Sequence, residues 1–126
     1  TLEWTRDLPA GRLGLTVHDE KRVLLAEGMD QAERRCTIAH ETGHILRGPS
    51  AAAHHVRDEL HINRQVGRLL LPSVRSIGHA LAWHQADHEK AAYDLWVDEQ
   101  IFNTRISTLP PGERAYLDEQ LATILI

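Results

Sequence analysis

Cysteine is almost absent from this 126-residue chain, where Cys36 stands alone. A single thiol excludes a disulfide framework, a cysteine-ligated zinc finger and an iron–sulfur cluster. Positive charge is also short, with 14 basic against 18 acidic residues and a formal net charge of −4. That balance offers no cationic surface to nucleic acid or anionic lipid, so direct nucleic-acid binding is not expected. No apolar run approaches the roughly 18–20 residues that would span a bilayer, and no membrane association is expected. The opening residues TLEWTRDLPAGR lack a basic segment followed by an apolar one. The expected location is therefore cytoplasmic. Repeats, low-complexity tracts and linkers are missing too.

The hydrophobic share of 42% and charged share of 25% are those of an ordinary globular protein. The length suits one domain, 1–126, able to bury a core without staples. Histidine is the outlier, with nine copies.

Residues 13–27, LGLTVHDEKRVLLAE, alternate around a polar break at His18–Lys21, the pattern of a hairpin. Asp30 and Glu33 form a capping box, and Ala32, Cys36, Ala39, Gly43 and Leu46 recur at helical spacing. A helix is expected over 31–47, stopped by Gly48–Pro49. Further helices are expected over about 53–71, 73–84 and 88–95. A fifth is capped by Asp98, with Ile101, Phe102, Ile106 and Leu109 as its apolar positions, and a last one covers 113–125. The expected fold is α+β: a small N-terminal antiparallel sheet (1–30) packed on a helical bundle. Within that bundle, 31–72 form a helix pair whose first member holds His40-Glu41-Thr42-Gly43-His44, the H-E-x-x-H pattern of a zincin-like site, and 73–126 form a helical remainder.

His40-Glu41-Thr42-Gly43-His44 is an H-E-x-x-H pentapeptide in the middle of the capped helix. Positions i and i+4 share a helix face, so two imidazoles can bind one zinc ion at about 2.0–2.1 Å. The glutamate beside the first histidine can then take the proton of the attacking water. Gly43 costs a helix interior about 1 kcal/mol against alanine, which a close backbone approach beside the metal would explain.

A catalytic zinc takes three protein ligands and keeps one position open. His54, His55, Asp58, Glu59 and His61 are within reach. The turn GPSAAA at 48–53 would fold the second helix back antiparallel to the first. Glu59 would then face the histidine pair, with Asn63 one turn later on the same face, placed to hydrogen-bond a ligand. His61 would face solvent. His54 or His55 stays open as an alternative third ligand.

The run Arg35-Cys-Thr-Ile-Ala-His-Glu-Thr-Gly-His-Ile-Leu46 resembles the motif helix of the ImmA/IrrE metallopeptidase family. The stretch from Glu59 to Pro72, ELHINRQVGRLLLP, is in register with that family's second signature, and the likeness covers about residues 13–109. Carried over, it makes His40, His44 and Glu59 the ligands of one zinc ion per chain and Glu41 the general base. The ligand set would also accept manganese. The family's alanine and Phe-Ala on the second helix are here Ile62 and Gln65-Val66. These are packing positions, so a locally different core is expected, with metal binding kept. Asp98 replaces the usual Ser or Thr as an equivalent N-cap.

The resemblance implies a zinc-dependent endopeptidase acting on one protein partner, such as a helix-turn-helix repressor of a phage or mobile element. The alternative is a zinc-containing regulator that binds or sequesters a transcription factor without turnover. DNA binding through residues 88–109 is disfavoured by the acidic balance. An oxyanion donor is not evident; His79, Tyr93 and His88 are candidates by side-chain type. His84 and His88 are four apart, but the break near Asp87 would spoil their use as a metal pair. Cys36, Trp83, Trp96 and Phe102 read as core, and Arg57, Arg64, Arg68 and Arg75 as a solvated face.

Overall fold

A computed structural model describes residues 1–124. The class is α+β, as expected: a three-stranded sheet and six α-helices among the described residues. The chain divides into two compact units, Thr1–Val66 and Gly67–Ile126.

The first unit opens with β1 (Leu2–Thr5), β2 (Gly14–Val17) and β3 (Arg22–Ala26) in the order β1-β3-β2. The expected hairpin is β2–β3, paired antiparallel from Gly14↔Leu25 to Val17↔Arg22. Lys21 closes its turn in the left-handed region at φ 49°, its N–H donating to the His18 carbonyl. The expectation of an antiparallel sheet is corrected by β1, which pairs parallel to β3 from Leu2↔Val23 to Thr5↔Ala26. A parallel pair has no connecting turn to announce it in sequence, and β1 is an edge strand with Leu2 and Trp4 exposed. Arg22 ties the two strands through Glu3 at 2.5 Å.

Helix α1 (Gln31–Arg47) matches its expected bounds. The Asp30 side chain accepts from the Glu33 N–H and Glu33 from the Asp30 N–H, a complete capping box. Gly48 ends the helix at φ 88°. The helix packs on β2 and β3 and buries Cys36 and Glu41. Leu46, expected to be apolar packing, is 82% exposed, on the last turn of the helix. A 3-10 turn (Ala52–His54) follows, so α2 (His55–Leu70) starts two residues later than expected.

Gly14 sets how closely β2 approaches α1. A Cβ there would stand 2.6 Å from Thr37 Cγ2, 2.9 Å from Glu41 Cγ and 3.1 Å from Glu41 Oε1. Gly14→Ala is expected to destabilise the protein by about 1–3 kcal/mol, the usual cost of overpacking. Denaturant unfolding checks this. Adding Thr37→Ser removes the nearest atom and should restore part of the loss, since the two sites touch.

The second unit holds α3 (Val74–Trp83), α4 (His88–Asp94), α5 (Glu99–Ser107) and α6 (Pro111–Ile124). Ser73, Asp87 and Asp98 cap the first three of these helices. Helix α6 starts two residues earlier than expected, on Pro111, whose missing N–H costs nothing at a helix start. Leu125, the expected last residue of that helix, lies outside the described residues. Ile77, Leu81, Val97, Phe102 and Leu117 fill the core. The structure corrects the expectation for Trp83 and Trp96, which are 80% and 55% exposed. Trp83 closes α3 beyond the buried Ile77–Leu81 stretch, and Trp96 sits in the left-handed turn after α4 at φ 63°. Arg105 is buried where an apolar face was expected; its guanidinium donates to the Leu71 carbonyl and to Glu113, both at 2.9 Å.

Candidate metal centre

Helices α1 and α2 meet through pairs that run in opposite order along the two: His40 with Asn63, Gly43 with Ile62, His44 with Glu59 and Arg47 with Asp58. The helices are thus antiparallel neighbours, as the short turn between them suggested. Gly43 permits this contact, because a Cβ there would stand 2.9 Å from Ile62 Cγ2. The close approach inferred at Gly43 is therefore made by the facing helix. Ile62 and Val66, which differ from the family's usual residues, are buried, while Gln65 is exposed.

At the crossing, His40 Nε2 lies 2.9 Å and His44 Nε2 2.7 Å from separate oxygens of the Glu59 carboxylate. The two Nε2 atoms are 3.1 Å apart. On its other side His40 uses Nδ1, donating to the side-chain oxygen Oδ1 of Asn63 at 2.8 Å. That bond fixes the tautomer and aims the Nε2 lone pair at the cluster. His40, His44 and Glu59 are the group of side chains able to hold a metal ion among the described residues.

A divalent cation fits this donor set. A cation held by all three would relieve the repulsion between lone pairs set this close. Donors bound tetrahedrally at about 2.0–2.1 Å would stand roughly 3.3 Å from one another, close to the spacings found.

The remaining candidates fall elsewhere. His54, His55 and His61 are exposed, and His54 Nδ1 contacts the Arg57 guanidinium. Asp58 is buried, and Arg47 donates to it at 2.9 and 3.0 Å. In the second unit His79 and Tyr93 are both exposed. His84 meets Asp94 and His88 meets Asn103, so the two imidazoles have separate partners. Arg57, Arg64, Arg68 and Arg75 are exposed, as a solvated face should be.

Asp58 has a structural use. The Ser50 hydroxyl first, and then the Arg47 guanidinium, hold its carboxyl below the usual carboxylate range. Those contacts pin the turn between the two helices. A carboxyl with a lowered folded-state pKa contributes stability above its unfolded value of about 3.9, and that contribution is lost as pH falls through the folded value. Thermal melting should therefore show wild type above Asp58→Asn at neutral pH, with the gap closing below about pH 4. A gap that does not change with pH would contradict this.

Glu41, next to His40, is only 5% exposed. The Thr16 hydroxyl lies 2.5 Å from its Oε2 and 3.2 Å from its backbone carbonyl. His18, just past β2, sets its ring edge-on to His44 with centroids 6.5 Å apart. Sequence reasoning placed Gly14 and Thr16 in a front strand and saw no further use for them. The signal was the strand alternation Gly14, Thr16, His18, which turns all three towards α1.

The family model described as the IrrE N-terminal-like domain, Peptidase_M78, matches residues 7–73. The chain belongs to this family. No curated protein and no solved structure matched the chain. The IrrE N-terminal-like match agrees with the ImmA/IrrE resemblance, and it spans β2, β3, α1 and α2, the last two of which carry the cluster. The family is one of metallopeptidases, so the function is of the metallopeptidase type. No helix among the described residues is long and apolar enough to cross a membrane.

Proposed function

We propose that this chain is a cytoplasmic zinc-dependent endopeptidase that cuts one protein partner, a helix-turn-helix transcriptional repressor, and so relieves repression. The observation that carries the reading is the convergence of His40, His44 and Glu59 beside a buried carboxylate at Glu41. Two neutral nitrogens and one carboxylate suit zinc. Bound there, zinc supplies Lewis acidity: it polarises a scissile carbonyl and makes water easier to deprotonate.

The chain's own residues supply the rest. Asn63 holds the His40 ring in its ligating tautomer. Glu59 brings the negative charge that offsets the cation. Glu41 takes a proton from water as the water oxygen bonds to the carbonyl carbon. It then passes that proton to the departing amine as the C–N bond breaks, so one carboxylate serves as base and then as acid. Removal of Glu41 from bulk water limits loss of the proton during the transfer.

The test is incubation of the zinc-loaded protein with helix-turn-helix repressors, read by mass spectrometry of the products. Discrete fragments that vanish when the protein is chelated are expected. Stoichiometric binding with no fragments would replace this reading by sequestration without turnover.

A further inference from the structure

We infer that Thr16 and Gly14 on β2 position the two oxygens of Glu41, an inference that rests on the peptidase reading above. A glutamate side chain has three rotatable bonds, and a base is effective only when one oxygen points at the proton to be taken. The Thr16 hydroxyl donates to Oε2 at 2.5 Å, which fixes that oxygen. Thr16 is β-branched, so its χ1 is stiff and the direction of the hydroxyl is held in turn.

Gly14 acts on the other oxygen. Its absent side chain would have stood 3.1 Å from Oε1, against the same carboxylate. With glycine there, no side chain from position 14 presses on Oε1. One strand thus anchors Oε2 and leaves Oε1 as the acceptor. The two residues are separated by one position, so strand alternation puts both on the face towards α1. Across the interface Gly14 meets Thr37 and Glu41, and Thr16 meets Glu41 again. Thr16 is therefore a positioning residue: its hydroxyl bonds go to Glu41, and it acts through that side chain.

The experiment compares the zinc-loaded wild type with Thr16→Val, which keeps the shape and loses the hydroxyl, and Thr16→Ser, which keeps the hydroxyl. Hydrolysis of fluorescein-labelled casein is followed, with Glu41→Gln as the blank. Crystal structures of wild type and Thr16→Val are determined alongside. In Thr16→Val, kcat should fall about 10–100-fold, the usual effect of losing a partner that orients a metal-site residue. KM and zinc content should hold. Thr16→Ser should recover to within about threefold of wild type, because a hydroxyl bond is restored. The Glu41 carboxylate should occupy one rotamer in wild type and leave it in Thr16→Val.

An unchanged Glu41 rotamer in Thr16→Val overturns the inference, as does a Thr16→Ser variant no faster than Thr16→Val. Wild type no faster than Glu41→Gln shows only that casein is not cut, as a peptidase specific for one partner allows; the repressor cleavage above tests the peptidase reading, and the rotamer comparison then decides the positioning by itself.

Discussion

Glu41→Gln is expected to abolish measurable hydrolysis while leaving zinc bound. Glutamine matches glutamate in shape, and its amide oxygen can still accept the Thr16 hydroxyl that now reaches Oε2. What it lacks is basicity. General base catalysis by a positioned carboxylate contributes about 10²–10⁴ in rate, and the whole of that should disappear from kcat. Since Glu41 is not among the three clustered side chains, metal content should stay at the wild-type level. KM should move little, because a residue acting only in the transition state contributes no ground-state binding. Biological derepression that survives Glu41→Gln would show that turnover is not the function.

Glu59→Gln should have the opposite signature, with metal lost first and hydrolysis lost as a consequence. The carboxylate reaches both imidazoles at 2.7–2.9 Å and is the one anion of the cluster. Removing a partner that merely orients a ligand costs about 10–100-fold in metal affinity, which is the range expected for Asn63→Ala. Loss of the charged ligand itself should exceed that range. His61→Ala should leave affinity unchanged, since that imidazole is exposed and outside the cluster. Metal binding adds RT ln(1 + [L]/Kd) to stability, so wild type should gain melting temperature on addition of zinc and Glu59→Gln should not. The first unit keeps an apolar core of Val23, Leu25, Cys36, Ile62 and Val66, and the metal-free protein is expected to stay folded. Circular dichroism after chelation checks that.

Helices announced themselves through their ends. Asp30 with Glu33, Asp87 and Asp98 are short-range signals, and each caps the element it was expected to start or to separate from its neighbour. The β2–β3 hairpin was equally local, its turn lying between two alternating runs. The His40–His44 pair needed only helical spacing. Glu59 and Asn63 needed one further step, a turn short enough to send α2 back along α1.

What stayed hidden was long-range or depended on exposure. The parallel partner of β3 comes from the far side of β2 in sequence, so no turn marks it. Trp83 and Trp96 are apolar residues whose helical periodicity says nothing about where a helix ends, and both sit at such ends. Arg105 is a charge in a core, satisfied by Leu71 and Glu113 through contacts that spacing does not reveal. Thr16 is the instructive case. A threonine in a strand is unremarkable until the strand is laid against Glu41, 25 positions away.

The most direct test of the central claim is zinc per chain, measured by plasma mass spectrometry after dialysis against a weak chelator, on wild type, Glu41→Gln and Glu59→Gln. One zinc in wild type and in Glu41→Gln, with little in Glu59→Gln, is the expected result. Zinc retained in full by Glu59→Gln, or absent from folded wild type, would contradict the site.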